Sequence, residues 1–418
     1  MAKGSKYSAL DAFFISLGGQ APFVSFFTYG GYVISLLGAS SGFAVLVATA
    51  IVLINGLVLY SLSRRFPYSG GYYIYSHYVL TSSLSFQTAW SYLFFNLTYG
   101  VAYLVGTAYM LSQYVVRDDL SALAIAVAAA LFIYFLGAKP TARYAIFAGS
   151  LEYGIMTFIG FYLLHLSHYS LYNPIYFPHT FLSGILFATG IPTGFMTLAS
   201  IAGDVENASK VVGKIMVMVI LIGGTLASFD LYSLYASGLT LTQALRASLG
   251  LSVYPVVIFT AVNDGILGGL AYMQSTSSLL RTMSSTGTAP AFMSKAMGRF
   301  SASDLVAAIL FAALAFALLL AFRSAYGAFV ATGFLGTVSN LFINVAAGGS
   351  LLRISLRRRS KGRRYIGEAI LAVTAMVSSL MVLVVSIAQG APILAYTFFT
   401  WIIVGFVVSE ILEISRQT

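Results

Sequence analysis

The chain has 418 residues, 59% hydrophobic and 8% charged, with a net charge of +10 and no cysteine. A soluble domain carries roughly 25% charged residues, so the composition excludes one, and the missing cysteine excludes disulfides, thiolate metal sites and cysteine nucleophiles. The positive charge is that of loops beside a membrane rather than of a nucleic-acid surface, because the run Arg357-Arg358-Arg359-Ser360-Lys361-Gly362-Arg363-Arg364 joins two apolar stretches.

A hydrocarbon core of about 30 Å needs roughly 20 apolar residues per helix. The apolar runs predict an all-α membrane protein of twelve spans, at 12–38, 42–62, 82–115, 121–137, 144–166, 181–202, 213–236, 253–283, 303–322, 326–352, 366–388 and 392–414. No strict alternation of apolar and polar residues appears, which argues against a β-barrel. The N-terminal MAKGSKYSAL has lysines but no small-residue cleavage site, so the first span reads as retained and not as a signal peptide. The length leaves no room for a separate soluble domain.

The first span is interrupted at its centre by ISLGGQAPFVSF, residues 15–26, where Gly18, Gly19, Gln20, Ala21 and Pro22 break the helical pattern. Glycine relaxes backbone geometry and proline removes a donor, so the break frees carbonyls and amide hydrogens that lipid cannot satisfy. The sixth span carries a second interruption, FATGIPTGFM at 187–196, with Thr189, Gly190, Ile191, Pro192, Thr193 and Gly194 at its heart. At 1.5 Å per residue both breaks lie roughly 15–18 Å deep, and the two spans run in opposite directions. Such a pair is expected of two repeats of inverted topology, at 11–167 and 181–352, followed by two further helices within 366–414. Helix N-termini favour a carboxylate and C-termini a cation, so paired breaks suit a zwitterion. A glycine kink that serves close helix packing is the alternative for either break taken alone.

Two acidic residues fall well inside spans: Glu152 in the fifth and Asp264 in the eighth. A charge there costs at least about 2.5–3.5 kcal/mol, so each needs a partner, a proton or a role. Three readings of Glu152 remain open: a proton-coupling carboxyl, an oxygen ligand for sodium together with Thr276, Ser277 and Ser278, or a carboxyl bonded to a neighbouring helix for packing alone. Asp264 is positioned to meet a substrate's amino or cationic group, or to pair with Asn96 of the third span. Asp11, Asp230 and Asp304 lie near span ends, where a solvated role is expected.

Placing the N-terminus inside puts nearly every basic residue in inner loops and span ends, leaving only Arg117, Arg246 and Arg323 of the 22 outside; both termini are therefore expected in the cytoplasm of a cell-membrane protein. His165, His168 and His179 fall in the outer fifth connection at no common metal-ligand spacing, so no metal is expected. The sequons at Asn96 and Asn207 lie in a span and an inner loop, out of reach of glycosylation. No phosphate-binding Gly-x-x-x-x-Gly-Lys-Ser/Thr loop occurs, and the four histidines do not assemble an enzyme's base or ligand set. Neither a cofactor nor an enzymatic activity is expected.

Five short motifs in order resemble the amino acid–polyamine–organocation superfamily of secondary transporters across nearly the whole chain. Gly19-Gln20-Ala21-Pro22-Phe23 stands where that family has Gly-Ser-Gly-Ile-Phe, and Phe66-Pro67-Tyr68-Ser69-Gly70-Gly71-Tyr72-Tyr73 matches its loop after the second helix. Lys139-x-x-Ala142-Arg143 resembles the entry to its fifth helix, Gly203-Asp204-Val205-Glu206-Asn207 the end of its sixth, and Arg281-Thr282-Met283 with Gly287 and Pro290 the end of its eighth. The resemblance implies an amino acid permease of the five-plus-five, LeuT-type fold with two extra helices. It also implies that amides of the first break hold a substrate carboxylate, while carbonyls near Ile191 and Pro192 hold its amino group. Aligned through Lys139 and Arg143, Glu152 stands where some proton-coupled members carry a lysine.

The departures are Gln20 for a small hydroxyl, Ala21 for the second glycine, Met196 for an acidic residue, and Gly190 where many members place an aromatic gate. Phe187 and Phe195 are the candidate substitutes. The resulting expectation is amino acid transport by alternating access, with protons favoured over sodium as the coupling ion. Sodium coupling, exchange, and carriage of a polyamine or other organic cation are the alternatives. No protein partner is demanded.

Overall fold

The computed structural model describes residues 7–169, 171–358, 360 and 362–417. Lys3, Lys6, Arg359 and Lys361, four of the basic residues used to orient the chain, lie outside the described residues.

The helices, in chain order, are α1 (Ala9–Gly18), α2 (Pro22–Ser25), α3 (Gly31–Leu37), α4 (Ser41–Ser63), α5 (Tyr72–His77), α6 (Ser82–Leu111), α7 (Asp119–Leu136), α8 (Ala138–Leu166) and α9 (Phe181–Gly190). They continue with α10 (Thr197–Ser200), α11 (Ala208–Ala236), α12 (Leu241–Leu249), α13 (Val253–Ser285), α14 (Ala302–Phe322), α15 (Ala325–Arg357), α16 (Arg363–Gln389) and α17 (Pro392–Gln417). A π-helical stretch, Phe26–Gly30, joins α2 to α3. A small sheet pairs Ala296–Met297 with Phe300–Ser301.

Every predicted span coincides with helix, and both predicted interruptions fall between helices, at α1/α2 and α9/α10. Nine helical stretches among the described residues are long and apolar enough to cross a membrane, the stretch Ala9–Ser63 counting as one. Two elements were not expected. The loop after α4 contains α5, and the connection after α11 contains the amphipathic α12, started by a Thr240–Gln243 capping box. Short polar-rich segments like these fall below the length at which apolar periodicity is informative.

The broken α1 meets α8, α11 and α13, while α6 packs most extensively, on α13 and α15. Small residues let the backbones approach, as membrane packing without a hydrophobic drive requires. A β-carbon at Gly336 would lie 2.3 Å from Tyr99, and one at Gly100 would lie 2.7 Å from Tyr272. Large tyrosines of α6 and α13 are thereby seated in the interior with no measurable exposure. At the opposite edge α16 is clamped to the end of α4, where Arg65 Nη2 reaches Glu368 Oε2 at 2.7 Å and Arg364 Nε reaches Oε1 at 3.1 Å.

Candidate functional site

α1 stops at Gly18, and the chain turns through Gly19 and Gln20 to Ala21, whose φ of 41° is left-handed. That turn delivers Pro22 to the first position of α2, where a missing N–H leaves no bond unmade. The next two amides are not free. Phe23 N–H donates to Glu152 Oε1 at 3.0 Å, and Val24 N–H donates to Asp264 Oδ2 at 2.5 Å. Asn263 Nδ2 donates to the other Glu152 oxygen at 2.6 Å, and its own Oδ1 accepts from Tyr144 OH at 2.8 Å. The two carboxyl groups also meet each other. A contact between two carboxyls becomes a hydrogen bond when one of them carries a proton to donate.

The second break meets the first directly. α9 stops at Gly190 and the turn passes through Gly194, with φ at 121°. A β-carbon at Gly194 would lie 2.0 Å from the Gly19 carbonyl oxygen, so only glycine permits both this backbone conformation and this approach. Gln20 stitches the breaks together: Nε2 donates to Pro192 O at 2.9 Å and Val219 O at 3.1 Å, and Oε1 accepts from Tyr153 OH at 3.1 Å. Tyr99 OH donates to Gly190 O at 2.8 Å, and Tyr103 OH donates to Gln20 O at 3.0 Å. Thr193 Oγ1 donates back to Thr189 O at 2.7 Å, Thr197 Oγ1 to Gly194 O at 2.9 Å, and Ser16 Oγ to Phe195 O at 3.3 Å. Thus several backbone groups of the two breaks are met by the protein's own side chains, at the place where the sequence suggested a zwitterion.

Three expectations need correction. Thr276, Ser277 and Ser278 do not join Glu152. They lie 12 to 15 residues along α13 from Asn263 and Asp264, roughly 18–23 Å at 1.5 Å per residue. Ser277 Oγ instead donates to Asp304 Oδ1, Ser278 Oγ donates to Ser200 O at 2.6 Å, and Thr276 Oγ1 is buried without a partner. Asp264 does not pair with Asn96, whose Oδ1 accepts from Ser275 Oγ at 3.0 Å. Asp230 is not solvated: it is 1% exposed and neither oxygen has a partner. Phe195 is wholly buried, whereas Phe187 is half-buried with its ring 4.4 Å from that of Tyr32, so the two candidate gates occupy unlike positions. Asp11 closes a capping box with Ser8, and Asp304 bonds Arg281 at 3.4 Å and Tyr134 OH at 3.1 Å.

Sequence reasoning missed Tyr99, Tyr103, Tyr144 and Asn263. The signal was present in part, since Tyr92, Asn96, Tyr99 and Tyr103 recur at three- and four-residue spacing and so share one face of α6.

At the end of the molecule holding the basic loops lies a cavity of about 290 Å³, lined by Tyr7, Asp204, Gln274, Arg281, Arg299 and Asp304 among others. Burial raises the Asp204 carboxyl above the usual carboxylate range, and the Arg281 guanidinium opposes that shift. Tyr7 N–H donates to Asp204 O at 2.7 Å and Glu206 N–H donates to Tyr7 O at 2.9 Å, tying the segment before α1 to the loop after α10. Among the described residues no group of three or more histidines and acids could hold a metal ion.

No curated protein matches the chain by sequence. Solved structures are similar in fold. A Na+-coupled sialic acid symporter, captured substrate-bound and outward-open, superposes with a TM-score of 0.57 at 11% identity, covering 93% of this chain and 91% of its own. A manganese transporter of Eremococcus coleocola gives a TM-score of 0.53 at 12% identity, over 99% of this chain and 94% of its own. Identities this low speak to the fold alone, which is that of LeuT-type transporters. The sequence profile of amino acid permeases matches residues 7–408. The chain therefore belongs to the amino acid permease family, as a multi-pass membrane protein that is a secondary transporter and not an enzyme.

Proposed function

We propose that this transporter moves amino acids across the cell membrane by alternating access, coupled to protons, with Glu152 as the coupling carboxyl. The observation that carries the proposal is the bond from Phe23 N–H to Glu152 at the first break, beside Asp264. An amino acid's carboxylate and the carboxyl of Glu152 compete for the same amides, and its ammonium competes with the Gln20 amide for Pro192 O. A substrate that takes the amides leaves Glu152 to pair with a proton instead, so substrate and proton enter together. Gly18 to Pro22, Thr189 to Gly194 and Asp264 then surround the substrate. Phe187 against Tyr32 serves as the outer gate, and the Tyr7–Asp204 tie serves as the inner one.

The distribution of charge supports twelve crossings with both termini cytoplasmic. The opposite sense of the two broken helices supports the repeats at 11–167 and 181–352, with 366–414 appended. A second reading rests on one observation. Glu152 and Asp264 sit side by side with no basic side chain among the described residues bonded to them, a setting that favours an organic cation, such as a polyamine, lacking any carboxylate.

The test is uptake into liposomes of radiolabelled amino acids and radiolabelled polyamines, under an imposed proton or sodium gradient. Accumulation of amino acids driven by protons is expected. Polyamine uptake with no amino acid uptake would replace the substrate reading, and dependence on sodium alone would replace the ion.

A further inference from the structure

The cavity of about 290 Å³ at the end holding the basic loops has no ligand under the proposed function. Its volume is at the lower end of small-molecule pockets, about 300–1,000 Å³. Ile201 and Asp204, just beyond α10, line it together with Gln274 and Arg281 of α13, and Arg299 and Asp304 complete its charged lining. Tyr7 lines it as well, so the cavity lies at the tie between the segment before α1 and the loop after α10.

Hydrogen bonding divides the four charged groups. Asp304 is saturated: Oδ1 accepts from Ser277 Oγ and from Tyr134 OH at 3.1 Å, and Oδ2 accepts from Ser301 N–H at 2.6 Å and Ser301 Oγ at 2.8 Å. Arg281 makes all three of its bonds, to Ser277, Ser301 and Asp304, through Nη2. Its Nε and Nη1 are thus open to another acceptor. Among the described residues neither Asp204 nor Arg299 forms an ion pair. Asp204 nonetheless feels Arg281, whose guanidinium opposes the upward shift that burial gives the carboxyl. Opposite charges therefore line one cavity, near enough to interact and not in contact. The side-chain oxygen of Gln274 is also buried there without a partner.

That arrangement selects for charge. A simple anion would meet the Asp204 carboxylate, and a simple cation would meet Arg281 and Arg299. A zwitterion satisfies both signs, and the planar fork of arginine matches a carboxylate in particular.

We propose that the inner cavity is a second amino acid site, holding the carboxylate on Arg281 and Arg299 and the ammonium on Asp204, between the breaks and the cytoplasm. The inference rests on the amino acid reading above. Gln274 lies ten residues along α13 from Asp264, about 15 Å, so this site and the one at the breaks are far enough apart to be filled together.

Two measurements on the purified full chain in detergent test it. In the first, phenylglyoxal, a reagent for guanidinium groups, is applied with each common amino acid in turn, or with its amide, which lacks the carboxylate. Adducts are mapped by peptide mass spectrometry. An amino acid that binds is expected to slow labelling of Arg281 and Arg299 but not of Arg353 and Arg357, and its amide to slow neither pair. Labelling of Arg281 and Arg299 that no amino acid alters overturns the proposal. In the second, the same amino acid, radiolabelled, is brought to saturation in equilibrium dialysis. Two molecules per chain are expected for the wild type, and one for Arg299→Gln and for Asp204→Asn. One per chain in the wild type, or two in either variant, overturns the second site and leaves the transport reading standing. No amino acid bound by the wild type, with none taken up by liposomes, overturns both.

Discussion

Replacing Glu152 by glutamine removes one oxygen from a position where both are used. Oε1 accepts from Phe23 N–H at 3.0 Å and Oε2 accepts from Asn263 Nδ2 at 2.6 Å. A glutamine amide offers one acceptor and one donor, so one of those two donors must face an NH2 group. Asn263 can turn over to repair the conflict only if Tyr144 OH, which now donates to its Oδ1 at 2.8 Å, reverses and accepts instead. Losing one such bond to a carboxylate costs about 1.5–3 kcal/mol, enough to loosen the first break without unfolding a protein of this size. The functional loss is larger and of a different kind. A gradient of one pH unit supplies about 1.4 kcal/mol per proton, which supports about tenfold accumulation of a co-transported substrate. With glutamine there is no proton to carry, so the expected accumulation ratio falls to about one, while exchange of internal for external substrate persists. The assay is the steady-state ratio of labelled amino acid inside and outside liposomes, measured with and without the gradient. Accumulation by Glu152→Gln equal to that of the wild type would refute the assignment of Glu152, whatever happened to the thermal stability.

Three further outcomes follow from the geometry. Gly194→Ala puts a β-carbon 2.0 Å from the Gly19 carbonyl at a φ of 121°, costing about 1–3 kcal/mol in backbone strain alone. A large drop in thermal denaturation temperature and loss of transport are expected, and a variant that melts and transports like the wild type would show that the breaks need not touch. Tyr99→Phe strips Gly190 O of its 2.8 Å partner and should lower stability by about 1–3 kcal/mol; an unchanged melting curve in detergent would mean that another donor takes over. Glu368→Gln weakens the Arg65–Glu368 tie between the end of α4 and α16 and the Arg364–Glu368 pair within α16. It should lower the melting temperature but leave the substrate concentration dependence of uptake alone, so a shifted half-saturation concentration would contradict the placement of this clamp outside the transport path.

Much of the architecture was legible in the sequence, because lipid imposes a strict rule: a segment of about 20 apolar residues must be helical to satisfy its own backbone. The positions of the helices followed from that rule, and so did the two interruptions, since glycine and proline clusters inside apolar runs have few other uses. The burial of Glu152 and Asp264 was readable for the same reason. Both sit well inside apolar segments, and the packing of α8 and α13 leaves them with no exposure.

What surrounds each break was decided only in three dimensions. No local signal says that Glu152 of α8 and Asp264 of α13, more than a hundred residues apart, fall on successive amides of α2. Nor does any say that Gln20 reaches Pro192, or that tyrosines of α6 cap both breaks. Helical periodicity gives the face of a residue, not the neighbour opposite it. The sodium ligand set failed on that point, grouping hydroxyls by helix when they lie about three to four turns along α13 from Asn263, where Glu152 bonds that helix. Asp230 was misjudged likewise: its place near a span end suggested water, but the packing of α8 against α11 closed the space around it. The sequence alone determined which segments are helical and apolar and where they break, because those depend on each segment's own backbone. Which side chains meet at the breaks depends on how the helices pack, and the tertiary structure alone decided that.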